Sequence, residues 1–167
     1  VEDIPAPDNV LKDIHHYKTG ILFQCPWAVP GVVEKDLGET AGNLRMSLYQ
    51  IGMGCQLFDD IVDLPGDVRE RRYNYAWSTI FHGADAATRK SLRNLYGPSL
   101  SSREQSLDLR AVFAEAIEAV ANEGSAKLEA GLNGLLREHH RHLVIPLMSL
   151  IIRRIGVDRF LPGKSSE

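Results

Sequence analysis

Two long stretches of the sequence repeat apolar residues at intervals of three and four, and this pattern constrains the fold most strongly. In the first stretch the repeat falls at Leu44, Leu48, Ile51, Cys55, Phe58 and Val62. In the second it falls at Leu109, Phe113, Ala116, Val120, Gly124, Leu128, Leu132 and Leu135. This spacing puts apolar side chains on one face of a helix, whereas a half-buried strand needs strict alternation, which no run shows. The sequence therefore predicts an all-α fold, a helical bundle.

Length and charge limit the classes of protein to which the chain can belong. Its 167 residues predict a single all-helical domain or partial domain over 1–167, with polar motifs in 9–80 and C-terminal helices in 105–156. A net charge of −3 gives no basic field for nucleic acid or an anionic membrane. Charged residues interrupt every apolar run, so no membrane span is predicted. We expect a cytoplasmic protein in which Cys25 and Cys55 are buried, reduced thiols.

Prolines, glycines and one aspartate predict where helices begin and end. A break is expected near Gly38, and Pro65 followed by Gly66 is expected to end the helix that carries the first repeat. Asp85 is expected to cap the N-terminus of a later helix. Pro146 is expected to kink the last helix.

Four aspartates lie at the end of the first apolar repeat and just beyond it, at Asp59, Asp60, Asp63 and Asp67. The carboxylates of Asp59 and Asp63 would share a helix face roughly 6 Å apart, since a helix rises about 1.5 Å per residue. At an effective dielectric constant near 20, their repulsion is about 3 kcal/mol. Solvent could relieve that repulsion at an ordinary acidic helix end, and so could a bridging cation. Hard oxygen ligands favour Mg²⁺.

Other polar residues favour an anionic ligand beside the aspartates. Lys18 and Thr19 lie on an earlier predicted helix. On that helix Leu11, Ile14, Ile21 and Leu22 are expected to form an apolar stripe around Lys18. Gln56 lies one turn before Asp60, and Arg71 and Arg72 follow the predicted helix end. A phosphorylated ligand held between Mg²⁺ and these groups would account for all of them.

Two segments together resemble a known family. The segment KTGILF at 18–23, followed by GMGCQLFDDIVDLPGD at 52–67, is similar to the C-terminal half of class I isoprenoid synthases of the polyprenyl diphosphate synthase type. The resemblance implies an allylic isoprenoid diphosphate as substrate, Mg²⁺ as cofactor, and activity as a prenyltransferase or a terpene synthase-like lyase. It also implies that the bundle is the C-terminal half of the isoprenoid synthase fold.

The resemblance implies a role for each matching residue. Asp59 would bind Mg²⁺ directly, and Asp60 and Asp63 would hold metal-bound waters or lie just behind the metal's ligands. Lys18 would bind the diphosphate, while Thr19 and Gln56 would line the same end of the pocket.

The sequence also departs from the family pattern. The family has a Gly-Lys segment after the aspartates, where this chain has RERRYN, so Arg71 or Arg72 would replace the lysine. The family's first aspartate-rich motif is absent from these 167 residues. We therefore expect that the chain alone is inactive, and that residues 44–62 and 109–135 leave apolar faces open for a second copy or for a missing N-terminal half. The alternative is a non-catalytic helical subunit or interaction module.

Histidines offer two weaker candidates. His15 and His16 could reach a diphosphate, but a pair on the helix surface is the favoured interpretation. The run EHHRH at 138–142 has metal-binding residue types, but a polar junction between helices is favoured because no second ligand cluster accompanies it.

Overall fold

The computed structural model describes residues 4–34, 38–96 and 108–160, and within these ranges every regular element is helical. The α-helices are α1 (Pro7–Asn9), α2 (Ile21–Gln24), α3 (Ala28–Val33), α4 (Gly38–Glu70), α5 (Tyr75–Gly83), α6 (Ala86–Leu95), α7 (Leu109–Val112), α8 (Ala114–Leu135) and α9 (Val144–Ile155). A π-helix spans Val10–Gly20, and 3₁₀-helices span Cys25–Trp27, Glu138–Leu143 and Val157–Phe160. The predicted all-α class is confirmed. None of the helices in the described ranges is both long and apolar enough to span a bilayer.

The N-terminal helical run does not bury the face that the sequence predicts. In the π-helix the buried residues are Val10, His15 and Gly20, five positions apart, because its hydrogen bonds join residues five apart. Lys18 is exposed, and the apolar side chains that follow it, Ile21 and Leu22, are also exposed. The predicted apolar stripe around Lys18 is therefore wrong.

The central helix α4 runs past the predicted stop at Pro65 and Gly66, and that prediction is wrong. A proline inside a helix costs about 3 kcal/mol, since it removes one hydrogen bond and crowds the preceding turn. Leu64 and Val68, on either side, are almost completely buried. Their packing offsets the cost and carries the helix to Glu70. The break expected near Gly38 is confirmed, since α3 ends at Val33 and α4 begins at Gly38.

The helices α4 and α8 form the centre of the bundle, and glycines let them approach closely. A Cβ atom on Gly131 would lie 2.6 Å from the carbonyl oxygen of Ser47 on α4. One on Gly54 would lie 2.8 Å from the carbonyl oxygen of Gly124 on α8. The two apolar repeats therefore cover each other, and the expectation that they lie open is wrong. Most exposed apolar side chains lie outside 44–62 and 109–135, for example Leu22, Val29, Val32, Val33, Ile145 and Leu150, although Met46 and Val112 are exposed within them.

The C-terminal part is more segmented than the sequence predicts. The helix expected to carry the second apolar repeat is interrupted at Phe113, and α8 ends at Leu135. Pro146 falls in the first turn of α9, where amide groups have no helical partner, rather than at a kink inside a longer helix. The cap at Asp85 is confirmed: its carboxylate accepts a hydrogen bond from the amide of Thr88 at 2.8 Å.

The two cysteines differ from the prediction that both are buried. Cys55 on α4 is half-buried, but Cys25, in the 3₁₀-helix Cys25–Trp27, is exposed. Neither forms a disulfide.

Candidate functional site

The acidic turn of α4 is divided between the surface and the core. Asp59 and Asp63 are exposed, whereas the side chain of Asp60 is only 3% exposed. Successive residues on a helix point about 100° apart, so an apolar face that turns Leu57, Ile61 and Leu64 inward carries Asp60 with it. The turn thus offers solvent two carboxylates, one helical turn apart.

Protein donors occupy both carboxylate oxygens of Asp60. His15 Nε2 lies 2.7 Å from Oδ2, which also accepts a short hydrogen bond from the amide of Tyr75. Gln56 donates to Oδ1 at 2.9 Å. These three donors belong to the π-helix, to α5 and to α4 itself, so Asp60 joins three helices.

The predicted pair Thr19 and Gln56 is brought together. The hydroxyl of Thr19 donates to the side-chain carbonyl of Gln56 at 2.6 Å, and Gln56 is itself buried. The segment that carries Lys18 and Thr19 therefore lies directly against the segment that carries the aspartates.

The loop after α4 adds a second buried contact to the acidic turn. The side-chain amide of Asn74 donates to the carbonyl oxygen of Asp60 and to the carboxylate of Asp67, each at 2.8 Å. Its carbonyl caps α5 by accepting from the amide of Trp77. Partial burial is the main reason that the pKa of Asp67 is raised, while the bond from Asn74 lowers it.

The charge on Asp59 is only partly compensated. Desolvation, followed by the carboxylates of Asp63 and Asp60, raises its pKa above the ordinary value, and Lys18 opposes them. Lys18 is therefore close enough to Asp59 for its charge to act on it. One turn earlier, burial and then the charge of Asp59 raise the pKa of Cys55 to about 11, so its thiol stays protonated at neutral pH.

The two arginines predicted to bind diphosphate lie at the end of α4 and are both exposed. Arg72 pairs with Glu70 at 2.5 Å and approaches Asp67 at 3.9 Å. Arg71 adopts a left-handed backbone conformation with φ of 56°, and it forms no ion pair with any residue in the described ranges. Arg71 is thus the more available cation of the two.

The prediction that His15 lies on the surface is wrong, whereas the polar junction predicted at 138–142 is confirmed, since that run lies between α8 and α9. His15, expected on the surface, is 1% exposed and bonded to Asp60, because the π-helix turns it inward. The run at 138–142 lies in an exposed 3₁₀-helix. Within 4–34, 38–96 and 108–160, no three His, Cys, Asp or Glu side chains are grouped so that they could hold a metal ion. Of the predicted metal-site residues, Asp60 is buried, whereas Asp59 and Asp63 are exposed.

Sequence reasoning missed three participants: His15, Asn74 and the amide of Tyr75. Asn74 stands directly before the apolar run of α5, which is a capping position, and this signal could have identified it. Nothing in the sequence indicates the π-helix that buries His15.

Comparison of the chain with family models, with curated proteins and with solved structures finds no match.

Proposed function

We propose that this chain binds an allylic isoprenoid diphosphate together with Mg²⁺, as part of a prenyltransferase or a terpene synthase-like lyase. One observation carries the proposal: the Lys18–Thr19 segment packs against the aspartate-bearing segment. Thr19 bonds to Gln56, and Lys18 acts electrostatically on Asp59. The two segments that resemble isoprenoid synthases are thus neighbours in space, although Thr19 and Gln56 are 37 residues apart in sequence.

The outward carboxylates suit Mg²⁺ in type and number. Mg²⁺ is usually held by one or two carboxylates, with water and substrate phosphates as its other ligands. Asp59 and Asp63 supply two. The pKa of Asp59 is raised first by desolvation and then by repulsion from Asp63 and Asp60, and a cation would relieve that repulsion. Asp60, whose oxygens are occupied by protein donors, stands behind them.

Two cationic side chains bind the diphosphate in this proposal. Lys18 binds the diphosphate beside Asp59, and Arg71 is the second cation, since Arg72 is paired with Glu70. Bound Mg²⁺ would stabilise negative charge on departing pyrophosphate. Lys18 supports the same charge through a charge-assisted hydrogen bond.

A second candidate is a non-catalytic helical subunit that completes or regulates a synthase. The observation that favours it is the use of Asp60, which joins three helices in a structural contact. Under this interpretation the motif has been retained for folding rather than for metal binding.

Titration calorimetry with geranyl diphosphate, with and without Mg²⁺, tests the proposal. We expect binding that requires Mg²⁺, and no Mg²⁺ dependence for the uncharged control geraniol. Absence of Mg²⁺-dependent binding would contradict the proposal. Where binding is found, release of pyrophosphate by this chain alone would rule out the non-catalytic candidate.

A further inference from the structure

We infer that His15 is a positioning residue, which holds Lys18 beside the outward carboxylates through a buried polar chain. This chain is defined as His15, Asp60, Gln56 and Thr19, in the order of their hydrogen bonds. The inference rests on the proposed function and assigns no metal or substrate contact to His15.

The buried polar chain connects the π-helix to α4 at two separate points. His15 and Thr19 lie four residues apart on the π-helix, and their partners Asp60 and Gln56 lie four residues apart on α4. Two contacts restrict both the rotation and the register of the π-helix on α4. His16 adds a third, partly buried contact, between Nδ1 and the hydroxyl of Tyr49 at 3.1 Å. Lys18 lies between the two anchors, so its backbone position is set by them.

Asp60, the partner of His15 on α4, is also bonded to Tyr75 and Asn74. Asp60 accepts from the amide of Tyr75, and its carbonyl oxygen accepts from Asn74. Because α5 fixes Asp60, a displacement at the His15 contact moves the π-helix rather than the acidic turn. Loss of the His15 contact should therefore move Lys18 relative to Asp59.

Packing alone does not explain a histidine at this position. The carboxylate of Asp60 already accepts from the amide of Tyr75 and from Gln56, and an ionised carboxylate only accepts, so we assign the proton in the contact to His15 Nε2. The other nitrogen, Nδ1, is buried without a partner in the described part of the chain. An unpaired buried polar atom is unfavourable, and leucine would fill similar space without it. What histidine adds over leucine is the directed bond from Nε2 to Asp60.

Substitutions that keep or remove the Nε2 donor test this inference. His15→Gln places an amide nitrogen near the position of Nε2, His15→Asn falls short of it, and His15→Leu has no donor. Val120→Ala, a core substitution in α8, controls for general loss of stability. The probe is inorganic pyrophosphate with Mg²⁺, followed by calorimetry.

We expect pyrophosphate affinity to fall about tenfold in His15→Leu and His15→Asn, because one charge-assisted contact from Lys18 is weakened. It should stay within about threefold of wild type in His15→Gln and Val120→Ala. If His15→Leu does not fold, the Gln and Asn variants decide the question. Equal affinities in the Gln and Asn variants would overturn the inference.

Hydrogen exchange gives a readout that needs no ligand. The amides of residues 18–20 should exchange faster in His15→Asn than in His15→Gln, and Val120→Ala should not change them. If wild type does not bind pyrophosphate with Mg²⁺, the proposed function is contradicted. Hydrogen exchange at residues 18–20 then tests the role of His15 by itself. Unchanged exchange in every variant would overturn that role.

Discussion

Asp59 and Asp60 are adjacent in sequence but have opposite environments. Asp60 is buried and accepts hydrogen bonds from three helices, whereas Asp59 lies at the surface among like charges with Lys18 as its opposing cation. The apolar face of α4 sets this difference, because it decides which aspartate turns inward. Residues in one acidic motif therefore need not share a role: one organises the fold, and its neighbour is available to a ligand.

The largest effect should come from removing the inner carboxylate. Asp60→Ala leaves the donors of His15, Gln56 and Tyr75 buried without an acceptor, and breaking such a buried charged contact costs about 3 to 5 kcal/mol. Urea denaturation followed by circular dichroism measures the change. Asp59→Ala is the matched control and should not lower stability. Similar losses of stability in both variants would contradict the assignment of a structural role to Asp60 and not to Asp59.

Removing the outer carboxylate should affect ligand binding instead. Asp59→Ala should reduce Mg²⁺-dependent pyrophosphate affinity about 100-fold, which corresponds to about 2.7 kcal/mol. The physical reason is the loss of one of two outward metal ligands. Calorimetry at fixed Mg²⁺ measures it, with Glu39→Ala at the other end of α4 as control. Unchanged affinity in Asp59→Ala would contradict the assignment of Asp59 as a metal ligand.

Lys18 should distinguish the charged ligand from its uncharged analogue. Lys18→Ala loses a hydrogen bond to a charged group, so we expect geranyl diphosphate binding to weaken by about 1.5 to 3 kcal/mol. Geraniol binding should not change. Lys12→Ala, on the same π-helix and paired with Asp8, is the control and should leave both affinities unaltered. Equal weakening for both ligands would make Lys18 structural.

The smallest effect is a pH-dependent gain in stability. The pKa of Asp59 is raised in the folded state, so ionising it costs stability as the pH rises through that pKa. Asp59→Asn removes this cost, and a like-charge pair one turn apart is worth about 0.2 to 0.5 kcal/mol. The melting temperature at pH 7 without metal should rise by about 0.5 to 2 °C. Below the unfolded pKa of 3.8 the gain should disappear, and a gain that persists there would contradict this origin.

Local patterns predicted much of the fold. The two apolar repeats indicated α4 and α8. The predicted cap at Asp85 and the predicted break near Gly38 were correct, because capping and glycine effects act over a few residues. The prediction that Thr19 and Gln56 lie at the same end of the site agrees with their hydrogen bond. It came from resemblance rather than from periodicity.

The errors have a common physical origin in tertiary packing. Pro65 lies inside α4 because the burial of Leu64 and Val68 outweighs the local cost of proline. His15 is buried because a π-helix replaces the expected α-helical spacing, and only its contact with Asp60, 45 residues away, shows why. Contacts across such distances leave no local pattern in the sequence.

Paramagnetic NMR tests the central claim most directly. Mn²⁺ substitutes for Mg²⁺ at oxygen ligands and broadens the resonances of nearby amides. With pyrophosphate present, we predict broadening centred on residues 59–63 of α4 and residues 18–19 of the π-helix in wild type and in His15→Gln. The broadening should be lost in Asp59→Asn. Broadening centred on the histidines at 138–142, or equal broadening in wild type and Asp59→Asn, would contradict the claim that the outer face of the acidic turn binds the metal.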